Sequence, residues 1–409
     1  MRELSENFSQ KIKLIIFHLL QSKLGQIIQN TERAMMISVT VLGVSIAAFM
    51  FAYMAFGDNT DEDMKTLKQV NIIFRHGAKF PDRIYPKDFH LTDVQNHDLG
   101  ALTNAGSLQM YNLGKNLHHR YLKLFPSNGF YSKKVVSVKS SWKDRTIMSA
   151  QSFLAGFMPP LENFNPLPIP WQPVAIYTIP RNMDDIIAQK RDCPKYDEVY
   201  EEVMKSEEIR QLDKNNKALY RILSLNTGIN ISSLLDVELL HGTLEAEKEA
   251  GWDLPDWTEG VFPSKTLPLA ERYLRLITET PFMKRIKAGP LMTEIMENMF
   301  SKKNSLPQEY DVNIYSAHDV TLVNLMNAMN ILNQTTNKPD FASALAIEVH
   351  SSYTSIDMDV KIYYYFNSND KYPKAIDIGG CESPCTLNRF RKVMNHLVVN
   401  DFQKLCERA

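Results

Sequence analysis

The 409-residue chain has only four cysteines, no surplus of either charge sign, no internal repeat and no low-complexity tract. Each absence closes off a class of protein. With 46 basic against 47 acidic side chains there is no excess cation to neutralise a phosphate backbone, so nucleic acid is not an expected partner. The cysteines do not form a zinc site, because Cys381-x-x-x-Cys385 has no histidine nearby at ligand spacing, and no other metal-ligand cluster is visible. A hydrophobic share of 44% against 23% charged residues excludes a disordered chain. One further absence is local: the 24 residues from Ala34 to Gly57 carry no charge at all.

That uncharged run is rich in Ile, Val, Leu, Phe and Met. At 1.5 Å per residue it spans a hydrocarbon core of ~30 Å with some room for tilt. It is longer than the ~7–15 apolar residues of a cleaved signal peptide, and a 33-residue polar extension precedes it. Arg33 flanks it on one side, and Asp58, Asp61, Glu62 and Asp63 follow on the other. Lys and Arg favour the cytosolic side. The expectation is an N-terminal cytosolic extension (1–33), a transmembrane signal anchor (34–57), and the rest of the chain lumenal or extracellular, in a lysosome or at the cell surface. Cleavage near Gly57 would instead give a secreted protein. All four cysteines (Cys193, Cys381, Cys385, Cys406) lie beyond the segment, an even number in an oxidising compartment, and three pairings are open. Asn230-Ile-Ser232 and Asn333-Gln-Thr335 are glycosylation acceptor patterns on the same side.

The outer part, 67–406, is long enough for one large domain with an insertion. Gln69 to Phe74 reads as a buried strand running into Arg75-His76-Gly77. Thr103 reads as a helix N-cap, with Met110, Leu113, Leu117 and Tyr121 at helical spacing behind it. Lys134 to Val138 reads as a second strand followed by a helix from Arg145 to Phe157. Val312 to Tyr315 reads as another strand, followed by a helix from Val320 to Leu332. Strand, helix, strand is the pattern of an α/β fold with a mostly parallel sheet flanked by helices. The stretch 158–285 opens rich in proline and turns charged and helical, over Tyr196 to Leu223 and Leu235 to Glu249. It reads as a smaller helical insertion beside the sheet.

Catalytic groups in such sheets gather at the carboxyl ends of strands. Three segments placed there are Arg75 to Pro81, Lys139-Ser140-Ser141, and Ser316-Ala317-His318-Asp319. They supply two histidines, one carboxylate and three cations (Arg75, Lys79, Lys139). That inventory suits a phosphate ester: cations neutralise the phosphoryl oxygens, an imidazole attacks phosphorus, and an acid protonates the leaving group. Taken singly, an Arg-His-Gly is most often a loop and a His-Asp pair often only a helix cap. The set carries the reading.

Arg75-His76-Gly77-Ala78-Lys79-Phe80-Pro81 resembles the R-H-G-x-R-x-P signature of the histidine acid phosphatases, in particular the animal prostatic and lysosomal type. The distant His318-Asp319 pair resembles the second half of that signature. Leu102-Thr103-x-x-Gly106-x-x-Gln109 and Asp144-Arg145-Thr146-x-Met148-Ser149-Ala150 also look like family segments, as do Trp171-Gln172-Pro173, Cys193-Pro194 and Leu254-Pro255-x-Trp257. The resemblance implies a phosphoglycerate mutase-like fold and hydrolysis of phosphate monoesters in two steps without a cofactor. It makes His76 the nucleophile, Asp319 the proton donor, and Arg75, Lys79, Lys139 and His318 the phosphate binders. It also implies the pairings Cys193–Cys406 and Cys381–Cys385, and a homodimer, since relatives are often dimeric.

The chain departs from the pattern at the phosphate clamp. The family uses three arginines, whereas this reading puts Lys79 and Lys139 at the second and third positions. Charge survives the exchange, but the planar fork of donors does not. Losing one charge-assisted hydrogen bond per site costs ~1.5–3 kcal/mol. The competing expectation is therefore a weakened or inactive member that binds phosphate esters at the membrane.

Overall fold

Gln69 to Phe74 forms the centre of strand β1 (Leu67–Arg75), buried along nearly its whole length. The computed structural model describes residues 64–408 apart from 162–164, 166, 307, 308 and 354. The expected anchor at 34–57 and the extension before it lie outside the described residues. Among the described residues no helix is long and apolar enough to cross a membrane. Thr66–Ala409 forms one compact unit.

After β1 come α1 (Asn104–Tyr121), β2 (Val136–Ser141), α2 (Asp144–Phe157) and β3 (Tyr177–Ile179). Five helices follow: α3 (Pro194–Met204), α4 (Glu207–Asn215), α5 (Lys217–Thr227), α6 (Leu234–Glu249) and α7 (Leu267–Leu276). The chain then returns through α8 (Pro281–Lys303), β4 (Val312–Ala317) and α9 (Asp319–Ala328). It ends with β5 (Ala344–Ser351), β6 (Met358–Tyr365), β7 (Lys374–Ile376), α10 (Leu387–Met394) and α11 (Phe402–Leu405).

Thr103 does cap α1: its side-chain oxygen accepts the backbone N–H of Gly106, satisfying one of the free donors of the first turn. Met110, Leu113, Leu117 and Tyr121 form the buried stripe of this helix, and His118 and His119 sit in its last turn. The stretch from Tyr196 to Leu223 is broken into α3, α4 and α5 rather than continuous, with Ser206 capping α4 through the N–H of Ile209.

The seven strands form one sheet in the order β3-β2-β4-β1-β5-β6-β7. The expectation of a mostly parallel sheet needs correction. β3, β2, β4 and β1 run parallel, but β5, β6 and β7 each pair antiparallel with the neighbour before them. Between β5 and β6 the reason is chain length: a parallel return needs a crossover of a dozen or more residues, and residues 352–357 are too few for one. The sheet is therefore mixed. In the parallel half β4 is inserted between β2 and β1, with Arg75 opposite Ala317 at the shared carboxyl end.

One face of the sheet packs Ile73, Tyr315 and Ile347 against Leu291 and Ile295 of α8 and Leu322 of α9. On the other face Phe74 meets Phe153 of α2 with ring centroids 4.7 Å apart. Each such side chain stabilises the fold by about 1.5–3 kcal/mol when fully buried. The helices between β3 and α8 have an apolar cluster of their own, which includes Leu223, Leu234, Val237, Leu244 and Leu276. Tyr85, from the segment after β1, joins that cluster. Cys193 is bonded to Cys406 and Cys381 to Cys385, as the resemblance implies. Asn230 and Asn333 are both exposed.

Candidate active site

His76 is the first residue beyond β1. Its backbone N–H donates to Ala317 O at the end of β4 (3.1 Å), and its carbonyl accepts from Ala342 N–H (3.2 Å). The following loop is held by the N-terminal halves of α1 and α2. Ala78 N–H donates to Gln109 Oε1 (2.8 Å), Gly77 N–H donates to Ser149 Oγ (3.1 Å), and Ala78 O accepts from Thr103 N–H (2.9 Å). A Cβ at Gly77 would collide with Gly106 O, and one at Gly106 with Ala78 O. The two glycines therefore let the loop lie directly on the start of α1. The motif residues around Thr103, Gly106, Gln109 and Ser149 form one clamp on the segment that carries His76.

The His76 ring is buried, and its Nδ1 lies 2.9 Å from Gly77 O. A carbonyl can only accept, so Nδ1 carries the proton and Nε2 the lone pair. Arg145 Nε–H donates to that lone pair at 3.1 Å. Burial holds the imidazole well below its ordinary range, and Arg145, His318 and Arg75 push it lower still. The ring stays neutral in acid. His318 stands edge-on to it with centroids 5.5 Å apart, and its Nε2 lies 2.9 Å from Ser141 Oγ. Burial and Arg145 bring His318 down to about 3.

Arg75 is buried and held from four sides. It donates to Pro339 O (2.6 Å) and to Glu245 Oε2 (3.0 Å), pairs with Asp319 Oδ2 (3.1 Å), and lies 3.8 Å over the Phe341 ring. Lys338 also pairs with Glu245 Oε2 (2.6 Å) and lies 3.8 Å from Asp319 Oδ2. Burial alone would raise the Asp319 carboxyl. Arg75 and Lys338 more than offset it and hold the group far below the usual carboxylate range. Glu245 is likewise brought down to about 2 by the same two cations against the opposing effect of burial.

Lys79 is in the pocket, buried, with its ammonium 2.9 Å from Asp82 Oδ2. The other oxygen of Asp82 takes Arg145 at 3.1 Å. Asp82 thus bridges two of the pocket's cations. Lys139 is not in the pocket, and this corrects the expected clamp. It lies inside the β2 ladder opposite Tyr315, and its ammonium meets Glu294 of α8 at 2.6 Å. Tyr315 OH donates to the other oxygen of Glu294 at 2.7 Å. The cation that does reach His76 is Arg145, in the first turn of α2. Arg75, His76, Lys79, Arg145, His318, Asp319, Glu245 and Lys338 share one cavity of 130 Å³, large enough for a phosphate group. Among the described residues no cluster suited to a metal ion occurs.

Sequence reasoning quoted Arg145 within a matching segment without giving it a role. It missed Lys338 and Glu245, which have no motif around them. Glu245 comes from α6 of the helical insertion and Lys338 from the loop between α9 and β5.

Residues 66–365 match the profile of the histidine phosphatase superfamily (branch 2). The chain is 30% identical to human lysosomal acid phosphatase over 84% of its own length and 81% of that protein. It is equally similar, at 30%, to the venom acid phosphatase Acph-1 of Apis mellifera, covering 84% of this chain and 88% of that one. The phytase of Citrobacter braakii has the same fold, with a TM-score of 0.64 and 16% identity over 83% of this chain and 99% of that one. The profile spans the clamped His76 loop and the His318-Asp319 pair, and the chain belongs to the histidine phosphatase superfamily, branch 2.

Proposed function

We propose that the chain is an acid phosphatase that hydrolyses phosphate monoesters in two steps through a phosphohistidine on His76. The observation that carries this reading is the His76 tautomer: with Nδ1–H on Gly77 O, Nε2 presents its lone pair to a pocket of cations. A phosphoryl group entering there takes over the N–H donors of Arg145 and Arg75 and the ammonium of Lys79, while His318 contributes one further donor. Arg145 then leaves the His76 lone pair free. Nε2 attacks phosphorus in line, the N–P bond forms, and the P–O bond to the alcohol breaks. Asp319 gives its proton to the departing oxygen. In the second step Asp319 takes a proton from water, the water oxygen attacks phosphorus, and the P–N bond breaks.

Asp319 is ionised in the resting site, so its proton must come with the substrate. Below the second phosphate pKa of about 6 a monoester arrives as the monoanion. Its charge neutralises Arg75 and Lys338, the two groups that hold Asp319 down, and the phosphoryl proton passes to the carboxylate. An acidic optimum follows from this relay and from a His76 that stays neutral in acid.

The weakened or inactive alternative rested on two lysines in the clamp. With Arg145 on His76 and Lys139 on Glu294, only the exchange at Lys79 remains. We also propose that the domain faces a lumen or the cell exterior, tethered by 34–57; the two disulfides suit an oxidising compartment, and the relatives include lysosomal enzymes. The test is the purified full-length chain assayed on an aryl phosphate across pH 4–8 beside His76→Ala. Activity in the wild type alone supports the proposal; equal activity in both proteins would sink it.

A further inference from the structure

A second cavity adjoins the catalytic one. It has a volume of 330 Å³, room for about ten water molecules, and shares Arg145, Glu238, Leu239, His318 and Asp319 with the phosphate pocket. Asp319, the proposed proton donor to the departing oxygen, lines both cavities, which directs the alcohol part of a bound ester toward the second one. One wall is apolar, formed by Leu235 and Leu239 of α6 and Tyr273, Leu274 and Ile277 at the end of α7. The lining also includes Lys143, Arg181 and Lys190.

Those three cations are exposed, and among the described residues none of them has an ion-pair partner. This sets them apart from their neighbours, because Arg75, Lys79, Arg145 and Lys338 are each paired with a carboxylate. The carboxyls that face the same cavity do not balance Lys143, Arg181 and Lys190. Asp319 is already committed to Arg75, and burial raises Glu238 to about 7, so it is neutral in acid. Lys190 is pushed below its ordinary value, by the partial burial of its ammonium and then by Arg181, and Glu238 only partly opposes this. Unpaired cations that converge on a cleft favour an anion by raising its local concentration and holding it against the wall.

We propose that this cavity is a leaving-group subsite for phosphomonoesters whose alcohol carries a second anionic group on an apolar body, with Lys143, Arg181 and Lys190 holding the second anion. The proposal rests on the phosphatase reading and adds to it which ester is preferred.

The test compares alkanediol bisphosphates of four, six and eight carbons with alkyl monophosphates of the same lengths, at pH 5 and low salt. A third set, alkyl phosphates ending in a carboxylate, separates a requirement for phosphate from one for any anion. The readout is the ratio of kcat/KM values within each length. Three exposed ion pairs are worth roughly ten-fold together, beyond the two-fold statistical advantage of two hydrolysable ends. The expected result is such a preference at one or more lengths, lost in K143Q/R181Q/K190Q, reduced in R181E, and reduced at high salt. Melting temperatures of the variants show whether they stay folded. A ratio at the statistical value at every length in the wild type overturns the subsite and leaves the phosphatase reading standing. So does a preference that persists in the triple variant. No hydrolysis of any ester overturns both.

Discussion

Replacing Arg145 and Lys139 separately distinguishes the clamp seen in the structure from the one expected from sequence. Arg145 is 11% exposed and donates to His76 Nε2 at 3.1 Å. In the proposed mechanism it hands that donor to a phosphoryl oxygen. Removing a buried charge-assisted hydrogen bond costs about 1.5–3 kcal/mol, so Arg145→Gln should lower kcat/KM by roughly 10- to 150-fold. Arg145→Lys keeps the charge but not the Nε position and should fall between. Lys139 is 32% exposed and bound to Glu294 on the opposite side of the ladder. A pair of that exposure contributes about 0–1 kcal/mol to stability and nothing to the pocket. Lys139→Gln should keep kcat/KM within about three-fold. The assay is steady-state hydrolysis of an aryl phosphate at pH 5, with thermal melting of all variants to exclude misfolding. A Lys139→Gln loss as large as that of Arg145→Gln would refute this assignment, as would a fully active Arg145→Gln.

Three further predictions follow from the same geometry. Asp82→Asn frees Lys79 and Arg145 from a shared carboxylate that is 48% exposed, and inorganic phosphate should then inhibit about three-fold more tightly; an unchanged inhibition constant argues that Asp82 leaves the cations on its own. Activity should fall about ten-fold per pH unit above the substrate's second pKa of ~6 but hold below pH 5, because burial keeps His76 neutral there; a plateau extending to pH 8 contradicts the proton relay. Glu247 is buried with no cation beside its carboxyl group, and burial together with Asp88 raises it from 4.5 to about 9. The folded state keeps a proton that the unfolded chain releases, so this stability is complete below pH 4.5 and lost as pH rises toward 9. At pH 7.5 the loss is about 2–4 kcal/mol, so Glu247→Gln should be the more stable protein there but not at pH 4.5, by denaturant titration. Parallel pH dependences of the two proteins would show that Glu247 titrates normally.

What could be read from sequence were features written within a few residues of one another. β1 and the Arg75-His76-Gly77 turn form a local apolar-to-polar boundary, and Thr103 with Gly106 is a local cap. The antiparallel half of the sheet was not anticipated, since the direction of β5, β6 and β7 is set by pairing across the sheet rather than by a local pattern. Lys139 was misplaced for a geometric reason. β2 extends through Ser141, so Lys139 is held in the ladder, and the helix that begins at Asp144 swings Arg145 into the pocket instead. Glu245 and Lys338 meet only because α6 of the insertion and the loop before β5 close over Asp319. No local pattern records that meeting.

The central claim is the covalent intermediate on His76. Rapid acid-free quenching of the full-length enzyme during turnover of a phosphorus-labelled aryl phosphate tests it directly. The account predicts one labelled peptide spanning residue 76, with phosphate stable in alkali and released by acid, and no label in His76→Ala. Label on another residue, or turnover with no label at any quench time, would contradict it.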